Sequence, residues 1–211
     1  MYTLPETFIT EIDQQFSPSR RLSALLEESA ARHDHLCPRQ VLGVRMGLAG
    51  LAAIGLSAPM PPKAALVIIE TDGCFADGIE VASGATVGHR TLRVKDFGKT
   101  AATFVNVRTN KSVRLAPQSD VRDHALNYAP ECMNNYEAQL KGYQVMPEVE
   151  LFHFQDVLLT SSLDAILSLP GLRVICTRCG EEIINAREVR LEGEILCAYC
   201  AGEEYYRAGK T

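Results

Sequence analysis

Two stretches of the sequence concentrate side chains that bind soft metals or perform thiol chemistry. Cys176-Thr177-Arg178-Cys179 and Cys197-Ala198-Tyr199-Cys200 are separated by seventeen residues. Each Cys-x-x-Cys pair can form a knuckle whose thiolates face one ion, and two knuckles complete a tetrahedron. Four thiolates leave no open coordination position, so a zinc ion held by Cys176, Cys179, Cys197 and Cys200 is expected to be structural. The second stretch, His33-Asp34-His35-Leu36-Cys37-Pro38, puts two imidazoles, a carboxylate and a thiol side by side. His33, His35 and Cys37 are candidate ligands of a second metal. Alternatively, Cys37 is a thiolate nucleophile or sulfur carrier with His35 as its base. Neighbours alone cannot complete a coordination sphere, and Asp72, Cys74 and His89 are the candidate distal groups.

The elements that must position these groups follow from periodicity. Ser17 or Ser19 can cap a helix running to about Arg32, with Leu22, Leu25, Leu26 and Ala30 on one face. Pro38 fits the first turn of a second helix. Gly43, Gly47 and Gly50 make a small-residue stripe on it that suits close packing within the chain or a dimer seam. Pro59 to Pro62 ends this helix, and Ala64 to Glu70 reads as a buried strand. Asp72 can cap a short helix over Phe75 to Ser83, with Cys74 in its first turn, where a helix dipole can favour a thiolate. Leu92 to Lys95, Ala101 to Arg108 and Ser112 to Leu115 alternate like strands of an antiparallel meander. A polar helical region follows from Ser119 to about Lys141, broken near Pro130. A strand over Val149 to Val157 and a helix over Leu159 to Leu169 complete the main domain. This order predicts an α+β domain, an antiparallel sheet packed with helices, over residues 1–170, and a zinc-finger domain over 171–211. In the latter, Glu188 to Leu191 and Glu194 to Leu196 form a hairpin around Gly193. Gly180 suits a positive φ, and the segment after Cys197 reads as a helix, giving a treble-clef or zinc-ribbon module.

Composition narrows the functional classes. The chain has 211 residues, 46% of them apolar, enough for one substantial core and a small module. A net charge of -5 argues against nucleic acid as a partner. The window Val41 to Ala58 is interrupted by Arg45 and rich in glycine, so it reads as a buried helix and no membrane partner is expected. The N-terminus lacks the basic and apolar regions of a signal peptide, which gives an expectation of a cytoplasmic protein. Seven cysteines in that setting indicate metal or thiol chemistry.

The motifs also resemble a known family. His35-Leu36-Cys37-Pro38 followed by Gly43-Val44-Arg45-Met46-Gly47 is similar to the Gly-His-x-Cys-Pro and Gly-x-Arg-x-Gly signature of the FmdE family, which takes its name from formylmethanofuran dehydrogenase. Thr71-Asp72-Gly73-Cys74-Phe75-Ala76-Asp77-Gly78-Ile79 resembles its second block. Gly84 to Gly88 and Val94 to Lys99 continue the match, and the cysteine module is similar to the treble-clef finger some members append. The resemblance implies an α+β core that dimerises, with His35, Cys37, Asp72, Cys74 and Asp77 around a cleft that sometimes holds a metal. It implies a metal-binding protein accessory to a molybdenum or tungsten formylmethanofuran dehydrogenase-type enzyme, or to its cofactor supply. No molybdopterin or iron–sulfur pattern marks a catalytic chain of such an enzyme. A zinc-finger adaptor or ligand-sensing regulator is a third reading, which the acidic balance disfavours. Asp34 stands where many members have Gly, and Ala85 where many have Cys.

Overall fold

A computed structural model describes residues 18–58, 60–167, 171–207 and 209. The chain forms two compact units that part between Leu158 and Leu159, upstream of the expected boundary at 170–171.

In the first unit, α1 (Pro18–Ala31) buries Leu26 and lays Leu22 and Leu25 against the core. Ser19 lies inside this helix, and Ser17 lies outside the described residues. The second helix, α2 (Pro38–Ala53), starts at Pro38 as expected and is buried on nearly every side, from Val41 and Val44 to Met46 and Leu51. Its apolar character is therefore that of a central core helix. Among the described residues no helix is long and apolar enough to cross a membrane.

The sheet is built from β1 (Ala65–Ile69), β2 (Leu92–Val94), β3 (Ala102–Asn106), β4 (Ser112–Pro117) and β5 (Phe152–Asp156), in spatial order β2-β1-β3-β4-β5. Strands β1, β3, β4 and β5 pair antiparallel, but β2 runs parallel to β1. The expected meander therefore holds for β3 and β4 and fails for β2. The cause is α3 (Cys74–Ser83), whose crossover between β1 and β2 returns the chain in its original direction. Between β4 and β5 come α4 (Val121–Tyr128), α5 (Asn135–Val145) and the single turn α6 (Glu148–Leu151). The strand expected over Val149 to Val157 is thus shortened at its start.

Two features of α2 hold this scaffold together. Gly43 meets Gly78 of α3 so closely that a Cβ on Gly78 would lie 2.5 Å from the Gln40 carbonyl oxygen and 2.7 Å from the Val44 nitrogen. The glycine stripe thus serves packing within the chain. Arg45 reaches the end of α5, where its guanidinium donates to the carbonyls of Tyr143 (2.7 Å), Gln144 (3.0 Å) and Met146 (2.8 Å). Those carbonyls have no partner inside their own helix, and a cation there also suits the helix dipole.

The second unit contains a short helix, α7 (Leu163–Leu167), and two hairpins, β6 (Arg173–Ile175) with β7 (Glu182–Ile184), and β8 (Val189–Leu191) with β9 (Glu194–Leu196). Glu192 and Gly193 both adopt positive φ, 51° and 86°, as a two-residue hairpin turn requires. Gly180 also has positive φ, 76°. The segment after Cys197 forms turns rather than the expected helix, so the module is a zinc ribbon in form. Its core is small, chiefly Cys176, Ile183 and Leu196.

Candidate functional site

The cleft of the first unit is assembled at the start of α2 and of α3. Cys37 is the N-cap of α2: its N–H donates to Gln40 Oε1 at 2.8 Å, while Gln40 Nε2 donates to the Ser29 carbonyl at 2.8 Å. A fully buried amide thus ties the Cys37 backbone to α1. Cys74 opens α3 behind the N-cap Gly73, whose φ of 74° falls where a side chain is strained. The expected cap, Asp72, is exposed, and Gly73 holds the cap position in its place.

Cys74 Sγ lies 3.1 Å from His33 Nε2, and the other ring nitrogen, Nδ1, lies 3.4 Å from Asp77 Oδ2. A carboxylate on one imidazole nitrogen fixes the tautomer that offers the other to a thiol or metal. The Cys37 thiol is near enough to that of Cys74 to act on its ionisation. Desolvation, then the neighbouring Cys37 thiol, pushes the Cys74 thiol above its ordinary range. His35 turns away from this chain of contacts. Its ring centroid is 5.5 Å from that of His33, and it lines a cavity of about 440 Å³ together with Cys37 and Cys74. Asp34 separates the two imidazoles with a φ of 62°. Glycine adopts that conformation freely and aspartate tolerates it, which accounts for Asp34 where the family pattern has Gly.

The far wall of the cavity was not legible in the sequence. Arg122 from α4 and Tyr136, Gln139 and Tyr143 from α5 line it, with Arg39 and Thr100 beside them. Nothing in the spacing of that polar helical region distinguishes these residues from a solvated face. Burial pushes the Tyr143 hydroxyl up to about 12, against the opposing charge of Arg122. Thr100 is set by the turn after β2, where Phe97 and Lys99 N–H groups donate to the Glu70 carbonyl at 3.0 and 3.1 Å. The Glu70 side chain accepts two bonds from Arg114, at 2.6 and 2.7 Å, which hold its carboxyl below the usual range. Asp72 and His89 are exposed and do not line the cavity, and Ala85 is buried in the core.

In the second unit the sulfurs of Cys176, Cys179, Cys197 and Cys200 all lie within 4.8 Å of one another. This cluster can bind a metal ion. Backbone N–H groups of Cys179 and Cys197 hold the Cys176 thiol at about 6, whereas desolvation and the neighbouring thiols push Cys200 up to about 12. Four thiols this close cannot all ionise without a cation, and a bound dication reverses the upward push. Among the described residues this is the only set of three or more His, Cys, Asp or Glu donors that converges so closely. His33, His35 and Cys37 do not form such a set.

Comparison with known proteins agrees with this architecture. Residues 32–155 match the family model described as FmdE, molybdenum formylmethanofuran dehydrogenase operon. A protein of Archaeoglobus fulgidus, described as a probable S-adenosyl-L-methionine-binding protein, is 27% identical over 93% of this chain. The alignment spans only 58% of that relative's length. The crystal structure of a tungsten formylmethanofuran dehydrogenase FmdE-like protein from Syntrophus aciditrophicus superposes with a TM-score of 0.55 at 19% identity, covering 88% of this chain and 95% of that one. At that identity the likeness speaks for the fold.

Proposed function

The chain belongs to the FmdE family, and from that premise we propose that it is an accessory metal-binding protein with two unlike centres. The C-terminal cysteines hold a structural zinc. In the cleft, Cys37, Cys74 and His33 hold a second soft metal ion, leaving a coordination position open to the cavity. The observation that carries this reading is the Asp77–His33–Cys74 chain of contacts with Cys37 against its thiol. His33 and Cys74 are within hydrogen-bond distance and would part slightly, and Cys37 would close, as the ion binds. The family's operon association supports service to a molybdenum or tungsten formylmethanofuran dehydrogenase-type enzyme or to its cofactor supply.

Elemental analysis of purified protein tests the second centre. Two metal ions per chain are expected in the wild type and one in Cys37→Ser/Cys74→Ser; one in both would refute it. The same geometry supports a second reading, in which His33, oriented by Asp77, deprotonates Cys74 for nucleophilic attack. Alkylation of metal-free protein discriminates: if His33→Ala leaves the rate at Cys74 unchanged near neutral pH, the nucleophile reading is lost. S-adenosyl-L-methionine, named for the Archaeoglobus relative, is a candidate occupant of the cavity, and a calorimetric titration without heat would remove it.

A further inference from the structure

The cavity beside the thiols has a charge pattern that the metal reading does not use. Two guanidinium groups, Arg39 and Arg122, line it, and no aspartate or glutamate does. Both arginines are exposed, and neither has an ion-pair partner among the described residues. Unpaired cations at the rim of a concave, partly apolar site focus a positive potential into it.

Tyr143 supplies an independent observation. It is 1% exposed, yet its hydroxyl has no hydrogen-bond partner among the described residues. Ser29 Oγ is the only fully enclosed side-chain polar atom left without a partner there. The Tyr143 hydroxyl therefore retains access to solvent, and the cavity is the space its side chain lines. A hydroxyl that opens on the cavity and makes no hydrogen bond within the protein is free to donate to a ligand there. Thr100 and Gln139 add further donors, while Leu42, Pro38 and the ring of Tyr136 supply apolar surface. The volume, about 440 Å³, exceeds what an inorganic ion fills and lies in the range of small organic ligands.

We infer that this cavity binds a small organic anion, its carboxylate held by Arg122, Arg39 and the Tyr143 hydroxyl and its body lying on Leu42 and Tyr136 beside the thiol pair. The inference rests on the preceding reading only in taking the cleft to be a ligand site. An anion placed there also lies next to the proposed open metal position, so one ligand could span both.

Benzoate and its uncharged isostere benzamide are the probes, titrated into the full-length protein and followed by NMR at the Arg122 side chain and the tyrosine rings. Benzoate is expected to bind at least about tenfold more tightly than benzamide, as charge-assisted hydrogen bonds require. Arg122→Gln should abolish that preference, and Tyr143→Phe should reduce it severalfold. Arg122 is exposed, so its substitution leaves the fold intact. Equal binding of the two probes, a preference unaltered in Arg122→Gln, or no binding of benzoate at millimolar concentration would each overturn the inference. Metal analysis of the same samples separates the two readings, because metal content depends on Cys37, Cys74 and His33.

Discussion

The two cysteine-bearing regions of this chain solve opposite problems. In the C-terminal module, four sulfurs converge within 4.8 Å and nearly all the surrounding structure exists to bring them there. In the cleft, thiols and imidazole come from two helix starts and a corner, are held by a large independent core, and face open space. A saturated donor set makes the ion part of the fold, whereas an incomplete set on a rigid frame leaves the ion, or a ligand, something to do.

That contrast is open to attack, most strongly at the module. Chelating the proposed zinc, or substituting Cys176→Ser, should unfold residues 171–207, since an ion in that role contributes on the order of 10 kcal/mol. Collapse of the amide dispersion for the module alone is the expected NMR result. The cleft should respond instead to its scaffold. Gly78→Ala forces a methyl against the Gln40 carbonyl and the Val44 nitrogen, backbone atoms that cannot give way singly. It should cost the core about 3 kcal/mol in denaturant unfolding.

A smaller effect, and a pH-dependent one, is expected at Glu70. Its carboxyl is held low by Arg114 in the folded state, so the pair stabilises the fold fully above the unfolded carboxylate value. That contribution is lost as pH falls through the lower folded value. Glu70→Gln should therefore cost about 2 kcal/mol at neutral pH. The gap to wild type should close in acid, and a gap independent of pH would show that the charge of the Glu70–Arg114 pair does not contribute to stability. The smallest effect belongs to the corner: Asp34→Gly relieves a positive φ and should be neutral or stabilising by about 0.5 kcal/mol, read as a small rise in Tm.

How legible each region was follows from how local its determinants are. The cysteine pairs announce themselves because each knuckle is built within four residues. The helix after Cys197 was misplaced, where turns occupy the segment, and the hairpin of β6 and β7 went unread. The starts of α2 and α3, the buried nature of α2 and most strands could be read from proline, glycine and apolar spacing. The direction of β2 could not, because an alternating run carries no sign of how its neighbour is oriented. In the corner, His33 rather than His35 meets a thiol, and that thiol is Cys74. One left-handed residue, Asp34, decides which imidazole turns where. Arg122 and Tyr143 were invisible for a related reason: they reach the cavity only through the packing of α4 and α5.

A zinc-edge anomalous difference map of a crystal of the full chain tests the central claim most directly. The account predicts one peak among the sulfurs of Cys176, Cys179, Cys197 and Cys200 and a second against Cys37 Sγ, Cys74 Sγ and His33 Nε2. A single peak, at the four cysteines alone, in protein purified without chelator and grown with zinc present, would contradict it.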